Sequence, residues 1–480
     1  MKVTVDFNST KGKMKPMHAV NNGPVYKFAV DQRITNIDHF KAAGIPYART
    51  HDASFYSTYG GEHTVDVHAI FPNFDADPTD PASYDFPMTD EYMKVMEYAG
   101  VRPFYRLGSK IEHGVKKYGT LPPKDFHKWA VICEHIIRHY TEGWADGFRY
   151  EDMIYWEIWN EPDLDSDDST HKRCWGGTKA QFFELYEIAA KHLKECFPHL
   201  KIGGPAICGK LDWGEDFIRY MAERNVPLDF FSWHRYYYVP EKFADHTRRV
   251  RKMLDENGYT STESILNEWN YVRGWEGETW IYSLKAEKSL KGAAFVAAVM
   301  ETCQYEPLDM LMYYDARPCG MNGMFSTDMV CDKLKGYYPF YMFNQLYRLG
   351  EAVKTVSDDG AIYACAAAND NEAAVMVTHY SDDDTKESVE VAVDLSGFGG
   401  AEGSEIEYYL LDENHDAELV GKATYFGDRF IPMFTMTNLS VFCQVLFPEK
   451  SVGIPFFQQG IFPAFSGHYA SLRMRACSIR

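Results

Sequence analysis

Between residues 16 and 345 short apolar runs alternate with longer stretches of helical periodicity, and very few chain folds satisfy such an alternation. The strand-like runs are Met17–Val20, Ile45–Arg49, Arg102–Arg106, Met153–Trp159, Lys201–Gly204, Leu228–His234, Glu263–Asn267 and Asp309–Tyr314. Between them lie amphipathic segments. In Lys124–Tyr140 the residues Phe126, Trp129, Ala130, Cys133, Ile136, Ile137 and Tyr140 recur three and four apart, which places them on one helical face. Thr178–Phe197 and Ser283–Cys303 carry the same period, with Thr178 and Ser283 as expected N-caps. Eight strands alternating with helices predict an α/β fold of the closed parallel kind, a (β/α)8 TIM barrel over residues 16–345. A doubly wound open sheet would show a glycine-rich phosphate turn after its first strand, where this chain has His18-Ala19-Val20-Asn21-Asn22-Gly23.

Past residue 350 the texture changes. Ile362–Ala366, Ala373–His379, Ser388–Val393, Glu405–Leu411 and Leu439–Leu446 are short, rich in Val, Ile, Tyr and Ala, and separated by polar turn clusters. They predict a C-terminal antiparallel β-sandwich over 346–447, joined by residues 2–12, whose opening Lys2–Phe7 alternates in the same way. Residues 448–480 form a tail that composition does not assign: 451–480 are rich in Gly, Pro and Phe and have no acidic residue.

A net charge of −20 excludes nucleic acid and an anionic membrane as main partners, because both need a basic surface. A neutral small molecule fits better. MKVTVDFNSTKGKMK has no apolar h-region, and no run reaches the length of a membrane span. The expectation is a cytoplasmic protein, or a mature form whose leader was removed. Ten Cys are scattered singly, without CxxC or Cys/His clusters, and read as reduced thiols. No metal or other cofactor is expected, and a homo-oligomer is open.

In a parallel barrel the reactive groups stand at the C-terminal ends of the strands. The fourth run ends Trp159-Asn160-Glu161-Pro162 and the seventh ends Asn267-Glu268-Trp269-Asn270. One strand-end glutamate is an ordinary surface feature. Two, each among tryptophans and on strands that face each other across the mouth, make a pair suited to hydrolysing a glycosidic bond with retention. That reaction needs carboxyl groups about 5–5.5 Å apart, one protonating the leaving oxygen while the other attacks the anomeric carbon. Glu161 is the expected general acid/base, its pKa raised by an anionic Glu268, and Glu268 the expected nucleophile. Asn160 can bond a substrate 2-OH. His234 and Tyr236, which end the sixth run, are candidate donors to Glu268.

With these two strand ends, Arg49-Thr50-His51-Asp52, Phe74-Asp75-Ala76-Asp77-Pro78, Tyr84-Asp85-Phe86 and Ser232-Trp233-His234-Arg235-Tyr236 resemble glycoside hydrolase family 39, among the clan A retaining glycosidases. The resemblance covers about residues 2–447. It implies a barrel with an accompanying β-sandwich, and β-xylosidase-like or α-L-iduronidase-like activity. By position it implies substrate contacts from His51, Asn160 and His234, a bond from Tyr236 to the nucleophile, and Arg49 orienting those groups from behind, with Asp52 beside it. The chain departs from the family at the eighth strand, where xylosidases carry a tryptophan floor and this sequence has Tyr313-Tyr314-Asp315-Ala316-Arg317. Tyr314 is expected to stack under the sugar instead. Arg317 is read as pairing with Asp315, the alternative being a sugar carboxylate.

The acidic stretch Asp163–Asp168 lacks the glycine and the final glutamate of an EF-hand and reads as a solvated loop at the cleft. No paired histidines end the first strand, and no Gly-x-Ser-x-Gly elbow occurs. The expected function is thus a retaining O-glycosidase acting on small plant-type oligosaccharides or glycosides, β-xylosides first. α-L-Arabinosides, β-glucosides or β-galactosides are the alternatives within that chemistry, and a non-catalytic carbohydrate-binding barrel the alternative outside it.

Overall fold

The computed structural model of the chain describes residues 1–29, 32–53, 61–328, 331–385, 387–398, 403–427 and 431–447. The tail 448–480 and part of the loop after the second barrel strand lie outside the described residues. Eight parallel strands close into a barrel: Ala19–Asn21, Tyr47–Arg49, Arg102–Leu107, Tyr155–Ile158, Lys201–Ile207, Phe230–Tyr237, Glu263–Tyr271 and Met310–Tyr313. Each corresponds to one of the eight apolar runs.

Alternation along these strands builds the barrel interior in layers. Ala19, Tyr47, Phe104, Tyr155, Phe230, Ile265, Met310 and Met312 form a buried cluster of their own that closes the floor. The Tyr155 ring lies 5.5 Å from Tyr47 and 5.1 Å from Phe104, centroid to centroid. Two residues further along four of these strands come Asn21, Arg49, Glu157 and Asn267, all buried, so a polar layer rests on the apolar floor.

The helices follow the expected periodicity, with one correction. Phe126–Thr141 starts at Asp125, whose side chain accepts from Lys128 N, and Lys179–Cys196 starts at Thr178 in a reciprocal capping box with Gln181. Such caps contribute about 1 kcal/mol each. Ser283, however, caps nothing. The segment is two helices, Gly277–Glu287 and Leu290–Gln304, and the second is capped by Ser289. Ser283 sits inside the first, its hydroxyl donating to Thr279 O. The break escaped the periodicity because Leu290–Gln304 is buried on nearly all sides, with no polar face to mark a phase.

Outside the barrel lies one curled sheet of nine strands, in the order Asp416–Thr424, Glu405–Leu411, Ser440–Phe447, Ala373–His379, Ile362–Ala368, Glu351–Ser357, Lys2–Lys13, Val389–Ser396 and Met433–Met436. It is mixed, because Lys2–Lys13 runs parallel to Val389–Ser396 while pairing antiparallel with Glu351–Ser357. The sheet folds over itself as a sandwich. Phe434, on the strand at one edge, has its ring centroid 4.1 Å from Phe442 and 5.2 Å from Tyr408 near the other. Its outer face packs on the barrel: Cys365, Ala367, Met376 and Cys443 share one core with the helix Leu290–Gln304. Among the described residues no helix is long and apolar enough to cross a membrane, and no disulfide forms.

Candidate active site

The two glutamates reach the barrel mouth by different local devices. On the seventh strand the register against the sixth slips between Leu266 and Glu268. This bulge turns two successive side chains inward, Asn267 onto Glu157 and Glu268 onto Arg49, while Trp269 packs outward against Phe243 and Phe295. On the fourth strand, Trp159 and Glu161 both adopt left-handed backbone conformations, with φ of 76° and 44°. Such non-glycine geometry costs energy and persists only where the surroundings hold it. Here Trp159 N donates to Leu107 O, Glu161 N donates to Ala206 O, and the Trp159 ring packs against Trp129 and Trp175.

One oxygen of Glu161, one of Glu268 and a ring nitrogen of His234 lie within 4.8 Å of one another. The partners differ. Glu268 accepts from Arg49 Nη1 at 2.8 Å and from the Tyr236 hydroxyl at 2.8 Å. Among the described residues Glu161 has no cation in contact: His234 Nδ1 is 2.8 Å from its Oε1 and Cys174 Sγ 3.9 Å from its Oε2. His234 therefore bridges the pair, its Nδ1 also lying 3.4 Å from Glu268.

Burial pushes the Glu161 carboxyl up to about 7, against the pull of the more distant Arg49 and Arg173. Burial, more than an anionic neighbour, is thus the leading cause of the shift, which amends the expectation from sequence. Glu268 is raised too, burial first, but Arg49 and the Tyr236 hydroxyl act to keep it charged. The arrangement can deliver a proton from one carboxyl and an electron pair from the other across a single bond.

Arg49 does more than stand behind these groups. Its guanidinium bonds Glu157 at 2.6 Å, Asn21 at 3.1 Å, Glu268 at 2.8 Å and Asn160 Oδ1 at 2.6 Å. Fixing the Asn160 carbonyl oxygen leaves the amide hydrogens of that residue for a ligand. His51 and His234 are buried with pKa values lowered, His234 to about 4, chiefly by burial, so both rings are neutral. Among the described residues His51 Nδ1 and His234 Nε2 have no hydrogen-bond partner, which suits neutral rings that meet hydroxyl groups. His51 and Tyr314 meet edge to face at 5.8 Å, and Tyr236 and Tyr314 at 6.4 Å, so Tyr314 lines the same hollow.

Asp52 and Arg317 belong to an adjoining charged lattice. Arg317 bonds Asp52 at 2.8 Å and Asp315 at 3.0 Å, and Lys110 reaches Asp52 at 3.2 Å and Glu62 at 2.9 Å. Arg317 thus has the partner read from sequence and a second one as well. The acidic loop after the fourth strand is less solvated than expected: Asp163 is buried and accepts from Cys208 N, and Asp165 holds Arg173.

Sequence reasoning missed Glu157 and Asn21, which hold Arg49, and Asn267, whose amide donates to Glu157. Their signal is the period of two: each stands two residues beyond a floor residue on its own strand. As to metals, Glu161, His234 and Glu268 have donor atoms close enough for an ion, but Arg49 already places a positive charge on Glu268.

A model of glycosyl hydrolases family 39 matches residues 1–273, the stretch that holds both glutamates. A beta-xylosidase of Geobacillus stearothermophilus is 30% identical over 253 residues, covering 49% of this chain and 45% of that protein. A beta-xylosidase of Caldicellulosiruptor saccharolyticus is 26% identical over 248 residues, covering 49% and 46%. The chain thus matches just under half the length of these relatives. Among solved structures, a glucosidase from Croceicoccus marinus aligns with TM-score 0.75 and 21% identity over 93% of this chain and 98% of that one. A monomeric beta-xylosidase from Caulobacter crescentus aligns with TM-score 0.68 and 15% identity over 93% and 99%. At these identities the structural likeness is one of fold.

Proposed function

The chain belongs to glycosyl hydrolases family 39, and from that premise we propose that it is a retaining glycosidase that releases terminal β-xylosyl residues from small glycosides. The observation that carries the reading is the pair of buried carboxyl groups with unequal partners, one oxygen of each within 4.8 Å of the other. Carboxyl oxygens this close support the shorter separation of retaining enzymes, roughly 5–5.5 Å between the groups, over the wider one of inverting enzymes.

In the first step Glu161, protonated, gives its proton to the leaving oxygen as Glu268 attacks the anomeric carbon and forms a glycosyl-enzyme. In the second step Glu161, now a carboxylate, takes a proton from water, which displaces Glu268. Arg49 and Tyr236 hold Glu268 ionised and aimed. Asn160, oriented by Arg49, donates to the 2-OH, and His51, His234 and Tyr314 surround the sugar. A neutral sugar is favoured over a uronic acid because Arg317, the nearby guanidinium on the eighth strand, is already bonded to Asp52 and Asp315.

The test is hydrolysis of aryl β-xyloside, β-glucoside, β-galactoside and α-L-arabinoside by wild type and Glu268→Gln, with the product anomer followed by NMR. Turnover of the β-xyloside with retention, lost in the variant, is expected. Preference for another sugar would refute the xyloside assignment, and an inverted product would refute the mechanism.

A further inference from the structure

The seventh strand continues into a loop whose most exposed large side chain is an indole. Trp275 is 55% exposed. Its ring stacks on Trp280 at 5.2 Å and 26°, and its other neighbour is Tyr236, edge to face at 5.0 Å. Tyr236 is the residue whose hydroxyl bonds Glu268. The two indoles therefore make an apolar surface continuous with the site and reaching outward from it.

The direction of this surface matters. Near the second, third and eighth strands stands the charged lattice of Asp52, Lys110, Glu62 and Arg317. Trp275 stands beyond the seventh strand, next to a residue of the sixth, on the side away from the second and third. Trp275 thus offers a ring face, through Tyr236, beside the glutamate pair.

The loop is also held from outside the barrel. Arg273 donates from Nη2 to Asp382 Oδ2 at 2.6 Å and the Tyr271 hydroxyl donates to Asp382 Oδ1 at 2.6 Å. Lys291 adds a bond to Asp384 at 2.5 Å. Asp382 and Asp384 lie in the turn after Ala373–His379, so the curled sheet grips the segment that bears Trp275 two residues beyond Arg273.

We propose that Trp275, backed by Trp280, is a stacking subsite for the sugar ring on the leaving-group side of the scissile bond, positioned from the accessory sheet by Asp382. The proposal rests on the glycosidase reading above. Pyranose C–H faces pack on indole rings, and because Trp275 contributes through ring contact alone, its removal should affect the second sugar and not the first.

The test is binding by titration calorimetry to the inactive Glu268→Gln protein, using xylose against xylobiose and glucose against cellobiose. Adding Trp275→Ala should weaken disaccharide binding about tenfold and leave the monosaccharide unchanged. Asp382→Ala should move the same ratio in the same direction by a smaller factor, whereas a purely structural role would lower the melting temperature with the ratio intact. Equal weakening of both members of a pair, or of neither, would overturn the subsite. The glycosidase reading is judged separately: if the Glu268→Gln protein prefers the glucose pair the xyloside assignment falls while the ratio still decides the subsite, and if it binds no sugar both fall.

Discussion

Two groups of buried carboxylates flank the barrel mouth, and they differ in how many cations each carboxylate touches. Asp52 touches two, Lys110 and Arg317. Burial opposes its ionisation, yet the Arg317 and Lys110 cations hold its carboxyl well below the usual range. Asp315 has only Arg317, and burial raises it. Across the mouth Glu268 and Glu157 share the one guanidinium of Arg49, and Glu268 is raised. Glu161 touches no cation and is pushed up to about 7. Identical chemistry at similar depth is thus graded from firmly ionised to half-protonated near neutrality by cation contacts. One group is built as a strut and the other as a proton donor beside an acceptor.

The largest effect is expected from emptying the second group. Glu268→Ala should lower kcat/KM on an aryl xyloside by roughly 10⁴-fold. Azide should restore part of the turnover and give a product of inverted configuration, and failure of any rescue would argue against Glu268 as nucleophile. Breaking the strut should register in stability instead. Arg317→Met leaves Asp52 and Asp315 without their shared cation and should cost about 2–3 kcal/mol in urea unfolding at neutral pH. A loss below about 0.5 kcal/mol, the scale of an exposed pair, would collapse the distinction drawn between the groups. The smallest effect is a pH limb. Glu161 works as an acid only while protonated, so, where Glu268 is ionised, kcat/KM should fall about tenfold per pH unit as the pH rises above about 7. In Glu161→Ala, assayed with a leaving group that needs no protonation, that limb should vanish, and its persistence would assign it to another residue.

Much of this was legible in the chain. The strand-end rule singled out Glu161 and Glu268, which the fold brings together, because each follows an apolar run directly, and the eight runs are short enough to be strands and far enough apart to admit helices. What it could not show is how Glu268 faces inward beside Asn267, since strict alternation would send one of the two outward and only the bulge reconciles them. Glu157 was hidden in an apolar run between Trp156 and Ile158, and its partner Arg49 belongs to a strand far back in the sequence. The parallel pairing of Lys2–Lys13 with Val389–Ser396 was illegible for the same reason, as alternation shows that a strand has two faces and says nothing of its neighbours.

That pairing has a consequence for how the molecule is made. Val3 ends between Ser357 and Val393, so the strand is synthesised roughly 350 residues ahead of either neighbour. It must wait for tens of seconds at ordinary rates of synthesis, while the whole barrel emerges and closes behind it. During that interval Lys2–Lys13 has two bare edges. Its exposed half, Asn8 to Lys13, carries two lysines and a glycine and none of the Val that fills its buried half, a composition that discourages pairing with a neighbouring nascent chain.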